Sequence, residues 1–149
     1  MDWTLGFVGC GVMAEVMIAG ILDEGLLPAD RIIASNRRES RGEELRERYG
    51  IRTTTDNVEV VRGSTVSVLS VKPQGLANVL KELKGSVPPQ AMVLSIIAGA
   101  NMNVLRNGLG HERVARCMPN LPCRIREGMT VWAAPQNTDE ADAERIEQI

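Results

Sequence analysis

The chain has 149 residues, 44% of them hydrophobic and 24% charged, with a formal net charge of −2. That length holds one domain with its own core, and the composition is neither disordered nor fibrous. The near-neutral charge leaves no nucleic-acid footprint, no apolar run reaches the roughly 18 residues of a membrane span, and the N-terminus lacks a secretory pattern, so a cytoplasmic protein with no nucleic-acid or membrane partner is expected.

Thr4 to Val8 reads as a buried strand. It runs into Gly9-x-Gly11-x-x-Ala14 and an apolar helix from about Val12 to Glu24, with Met13, Val16, Met17, Gly20 and Ile21 at helical spacing. Gly25 and Pro28 stop that helix. A strand over Arg31–Ser35, a polar helix over Ser40–Tyr49 and a short strand over Ile51–Thr54 follow. Asn57–Arg62 forms a short helix, and Thr65–Val71 (TVSVLSV) is a β-branched, uncharged run suited to a parallel sheet covered on both faces. A helix over Leu76–Leu83, a strand over Ala91–Ile97, a helix over Asn103–Asn107 and a strand over Arg113–Cys117 come next, with a seventh strand over Met129–Ala134. Asn137 or Thr138 then caps a helix whose first turn carries Asp139, Glu140 and Asp142, and whose stripe begins with Ala143, Ile146 and Ile149. The stripe is only just established at Ile149, the pattern of a helix with more chain to follow. Strands alternating with helices predict a doubly wound α/β fold of Rossmann type, a mainly parallel sheet with helices on both faces, over residues 1–149.

The glycine turn has the layout of a dinucleotide site. Gly9 permits the tight turn, Gly11 lets backbone approach a pyrophosphate, and Ala14 allows close packing of helix on strand. The phosphates would lie at the helix N-terminus, where unpaired N–H groups and the helix dipole favour an anion. The end of the second strand chooses between cofactors. Ser35-Asn36-Arg37-Arg38 holds no carboxylate for ribose hydroxyls, and an arginine there suits a 2′-phosphate, which predicts NADP(H). The bland alternative is a solvated basic turn.

Three later strand ends line the same expected crevice. Val71-Lys72-Pro73-Gln74 sets Lys72 to meet ribose or nicotinamide, in a positioning rather than catalytic role, or leaves it a surface lysine. Ser95 to Ala100 ends in small residues, Ala98 and Gly99 among them, that give access to the nicotinamide ring or simply make a turn. Met118-Pro119-Asn120-Leu121-Pro122 is a rigid loop. Asn57 either caps its helix or bonds the adenosine side of the cofactor. The three cysteines, Cys10, Cys117 and Cys123, form no disulfide or metal pattern and read as free thiols, Cys10 being placed for solvent access within the glycine turn. His111 has no catalytic partner in view.

Taken together, GFVGCGVMA, SNR, TDNVEVV, LSVKPQ, SIIAGA and RCMPNLPCRIREGMTVW resemble the pyrroline-5-carboxylate reductases, in order and spacing across nearly the whole chain. The resemblance implies NADPH-dependent reduction of the imine 1-pyrroline-5-carboxylate to L-proline. It implies that Gly9, Gly11, Val12, Met13 and Ala14 bind pyrophosphate, that Ser35, Asn36 and Arg37 meet the adenosine phosphate, and that Asn57 contacts the adenosine side. Val71, Lys72, Pro73, Ala98 and Gly99 would surround the nicotinamide half, with no metal. It also implies a helical C-terminal domain that makes the homo-oligomer and holds the substrate carboxylate, which these residues do not include. Two other readings remain: a stand-alone dinucleotide-binding sensor, and a related NADP- or deazaflavin-dependent oxidoreductase.

Overall fold

Apolar residues at alternate positions of the strands face opposite ways, and that alternation builds two cores. In the computed structural model, which describes residues 2–119 and 130–149, the elements run β1 (Leu5–Val8), α1 (Val12–Asp23), β2 (Ile32–Ser35), α2 (Glu39–Tyr49), β3 (Arg52–Thr54), α3 (Asn57–Arg62), β4 (Val66–Leu69), α4 (Leu76–Leu83), β5 (Met92–Ser95), α5 (Met102–Leu109), β6 (Val114–Met118), β7 (Val131–Ala133) and α6 (Glu140–Gln148). Leu5, Phe7, Val66, Val68, Met92 and Leu94 pack with Ile18 of α1, Leu45 of α2 and Ile146 of α6. Val8, Ile33, Leu69, Val93 and Val114 pack with Val60 of α3, Leu80 of α4 and Leu105 of α5. Each such fully buried aliphatic or aromatic side chain contributes on the order of 1.5–3 kcal/mol. Both faces are therefore covered, as a parallel sheet requires.

The strand order is β3-β2-β1-β4-β5-β6-β7, parallel throughout except for the antiparallel β6–β7 pair. This is the expected Rossmann-type doubly wound sheet. The chain leaves β1 toward β2 and returns to its other side as β4, so the topological switch lies between β1 and β4. A crevice outside the carboxyl ends of those strands is where this architecture binds ligands.

Most expected elements stand within a residue or two of their bounds. β4 is shorter than the TVSVLSV run, so Ser70 and Val71 belong to the loop above the sheet. α5 is longer than expected and is capped by Asn101, whose Oδ1 accepts the Val104 N–H at 2.9 Å. α6 is capped by Asp139, not Asn137 or Thr138: Asp139 Oδ1 accepts the Asp142 N–H at 2.8 Å, while the Thr138 hydroxyl donates to the Pro135 carbonyl at 2.7 Å. Asp142 is buried and ion-paired with Arg113 and Arg145, tying α6 to the start of β6. His111 is buried, its Nε2 lying 2.8 Å from the Ala91 carbonyl, which makes it a structural residue. Among the described residues no helix is long and apolar enough to cross a membrane.

Candidate cofactor-binding site

β1 ends at the switch point and the chain turns at once into α1. Gly9 takes φ +84°, and a Cβ built on it would lie 2.7 Å from Val71 Cγ1, so both conformation and space demand glycine there. Gly11 is different. It is the N-cap of α1 at φ −85°, an ordinary value, and a Cβ built on it would meet nothing within 4 Å. The fold does not require glycine at Gly11. No side chain caps α1, so the N–H groups of its first turn face the opening. Val12 is 63% exposed beside that opening, Met13 is partly buried and Ala14 is buried against the sheet. An uncapped helix start, a glycine with open space and a tight turn at the switch point fit a dinucleotide pyrophosphate.

The turn is braced from behind. Ser70 Oγ donates to the Gly9 carbonyl at 2.5 Å. The Cys10 carbonyl receives Asn36 Nδ2 at 3.4 Å and Arg41 Nε at 3.5 Å. Asn36 Oδ1 in turn accepts the Arg38 N–H at 3.0 Å, shaping the loop after β2. The Cys10 side chain, expected to be accessible, is only 1% exposed because it points into the core beneath α1. Burial pushes its thiol up to about 12.

Beyond this brace stand Arg37 and Arg38, both exposed and without ion-pair or side-chain hydrogen-bond partners among the described residues. They lie in the loop after β2, where a 2′-phosphate is expected. Ser35 is fully buried behind them, its hydroxyl accepting the Gly9 N–H at 3.2 Å and donating to Asn57 Oδ1 at 2.6 Å. It supports the site from within. The cap of α3 is Asp56, whose Oδ1 accepts the Val58 N–H at 2.8 Å, so Asn57 is not needed for capping. Lys72 and Pro73 are exposed above β4 in a short 3-10 turn, Val71 is half-buried against Gly9, and Ala98 and Gly99 are exposed above β5, Gly99 at φ +75°. The proposed contacts thus share the carboxyl rim of β1, β2, β4 and β5. Asn120, Pro122 and Cys123 lie outside the described residues.

The family described as NADP oxidoreductase coenzyme F420-dependent matches residues 4–99. The chain belongs to this family. The family's NADP agrees with the cofactor expected from the Ser35-Asn36-Arg37 turn. The resemblance drawn from the motifs extends over the chain: it is 37% identical to the pyrroline-5-carboxylate reductase of Pisum sativum over 148 residues, 99% of this chain and 54% of that protein. It is 33% identical to that of Methanosarcina acetivorans over 97% of this chain and 54% of the other. The solved pyrroline-5-carboxylate reductase of Coxiella burnetii superposes with a TM-score of 0.92 at 30% identity, covering 99% of this chain and 55% of that one. The Plasmodium falciparum structure with NADP bound shares the fold, with a TM-score of 0.84 at 23% identity over 97% of this chain and 53% of that one. The chain spans about half the length of the curated relatives it matches.

Sequence reasoning missed the charged clamp next to the turn. Glu15, in the first turn of α1, accepts from Arg41, from Arg48 at 2.7 Å and from Tyr49 Oη at 2.9 Å, joining α1 to α2. Partial burial pulls the Glu15 carboxyl up, but the hydrogen bonds from Arg41, Tyr49 and Arg48 outweigh it and hold the group below its ordinary range. Beside Arg41, a Cβ built on Gly42 would lie 3.2 Å from Thr53 Oγ1, so α2 sits close on β3.

Proposed function

We propose that this chain is the NADP(H)-binding half of a reductase that converts 1-pyrroline-5-carboxylate into L-proline. The observation that carries the substrate assignment is the identity of 37% and 33% to reductases of that name over nearly the whole chain. The cofactor assignment is supported by open space at Gly11 and by the exposed Arg37, which has no side-chain partner among the described residues.

The first-turn N–H groups at Val12, Met13 and Ala14, with the backbone of Gly9 and Gly11, would hold the pyrophosphate. Arg37 would clamp the 2′-phosphate, with Asn36 shaping the loop. Asn57 would meet the adenosine side. Val71, Lys72, Pro73, Ala98 and Gly99 would bound the nicotinamide half, Lys72 positioning charge rather than passing a proton. NADPH supplies the hydride for the C=N bond. A protonated imine is already a good acceptor, so what these residues contribute is orientation.

A helical domain such as the resemblance implies would complete the substrate site and the homo-oligomer, in a cytoplasmic enzyme. The 149-residue chain alone is expected to bind NADPH and reduce pyrroline-5-carboxylate poorly or not at all. Robust steady-state turnover by the purified chain would defeat that expectation. The family's description favours one further reading, in which the hydride passes between NADP and a deazaflavin. Assaying a longer protein that contains this chain with both acceptors separates the two. Proline formation supports the first, and deazaflavin-linked turnover without proline formation supports the second.

A further inference from the structure

Glu15 places a carboxylate in the first turn of α1, the helix whose start would hold the pyrophosphate. A negative group there competes with a bound anion for the positive end of the helix. The carboxylate is turned to α2, where Arg41, Arg48 and Tyr49 bond it. The two cations are not equivalent. The Arg48 side chain is 64% exposed and screened by solvent, whereas those of Arg41 and Glu15 are each 17% exposed. Arg41 Nη1 also reaches Glu44 at 3.1 Å, but that carboxylate is exposed. The guanidinium touches the glycine turn as well. Its Nε lies 3.5 Å from the Cys10 carbonyl, to which Asn36 Nδ2 also donates, at 3.4 Å. Each contact is long, but both draw the carbonyl toward the β2–α2 side. A trans peptide is planar and its C=O and N–H point opposite ways. There is no cis bond among the described residues. The Gly11 N–H, in the same plane as the Cys10 carbonyl, therefore faces away from Arg41. It donates to no group among the described residues and lies beside the open space at Gly11.

We propose that Arg41 is a positioning residue for the dinucleotide: it cancels the Glu15 charge beside the glycine turn and holds the Cys10–Gly11 peptide with its N–H free for the pyrophosphate, without itself touching the cofactor. This rests on the NADP(H) reading above and deepens it, adding a residue outside the set assigned to cofactor contact. The pyrophosphate is common to NADPH and NADH, so the effect falls on both nucleotides, unlike that of an arginine on the 2′-phosphate.

The test uses Arg41→Gln, Arg41→Lys, Glu15→Gln and the Arg41→Gln/Glu15→Gln pair in the whole chain, with NADPH and NADH titrated by calorimetry beside thermal melts. Arg41→Gln leaves Glu15 with its exposed cation alone and weakens both nucleotides about fivefold. Arg41→Lys keeps the charge and recovers most of that loss. Glu15→Gln removes the competing carboxylate and tightens both nucleotides about threefold, although it lowers the melting temperature. The paired variant returns to near the parent's affinity. A role in packing alone would not do this, since two lost contacts would then leave binding no better than one. A loss confined to NADPH in Arg41→Gln overturns the inference, because it makes the guanidinium a ligand of the 2′-phosphate. Parent-like affinity in Arg41→Gln overturns it too, as does a paired variant that binds no more tightly than Arg41→Gln. Unchanged or weaker binding in Glu15→Gln also overturns it, which decides the matter should Arg41→Gln not fold. Failure of the unsubstituted protein to bind either nucleotide overturns the cofactor reading itself.

Discussion

Gly9 and Gly11 stand two positions apart, and the fold demands glycine only at the first. Gly9 is held at φ +84° against Val71, so Gly9→Ala carries both strain and a clash and is expected to cost about 1–3 kcal/mol by chemical denaturation. Gly11 has φ −85° and open space, so Gly11→Ala should leave the denaturation midpoint unchanged or slightly raised while weakening NADPH binding, the added methyl lying where the pyrophosphate approaches. A loss of stability in Gly11→Ala equal to that in Gly9→Ala would remove the distinction. Cys10, between them, is buried with its thiol at about 12, so at neutral pH it is protonated and out of reach. Peptide mapping after iodoacetamide treatment should find Cys10 unmodified in the folded protein and alkylated in denaturant; rapid native labelling would contradict the burial.

Between elements, the glycine turn depends on the packing of α1 against α2 through Glu15, Arg41, Arg48 and Tyr49. The Glu15 carboxyl sits below its usual value of 4.5, so its ionised form is favoured by folding. The stability this provides is full above the unfolded value and is lost as pH falls through the lowered folded value. Glu15→Gln should therefore be less stable than the parent at pH 7, with the gap in urea midpoint closing as pH falls through about 4 and below. A pH-independent gap would assign the effect to packing instead. These contacts could not be read from the sequence, because they join residues 26 to 34 positions apart whose meeting depends on where α2 lies on the sheet. What local pattern controls was legible: the buried apolar run of β1, the helical spacing of α1, the limits of α3 and α4. Where consecutive residues could each cap a helix, as at Asn137, Thr138 and Asp139, tertiary contacts decided. Ser35 lies in the strand-end motif, but only its position on the sheet reveals that its hydroxyl faces inward.

Across the molecule, the order β3-β2-β1-β4-β5-β6 places the glycine turn, the arginine loop, Asn57 and the loops after β4 and β5 on one rim, because all these strands run parallel and end on the same side. On the proposed reading the adenosine side would fall over β1 and β2 and the nicotinamide side over β4 and β5. That division is why a short motif near the N-terminus and loops some 60 and 90 residues later can serve one extended ligand. The proposed reading gives the choice of NADP over NAD to Arg37, which like Arg38 is exposed and outside the Glu15 clamp that engages Arg41 and Arg48. Titration of the purified chain with NADPH and NADH, before and after Arg37→Ala, examines that choice. NADPH should bind about tenfold or more tightly than NADH, and Arg37→Ala should abolish most of the difference while leaving NADH affinity unchanged. Equal affinity for the two nucleotides in the unsubstituted chain would contradict the phosphate assignment.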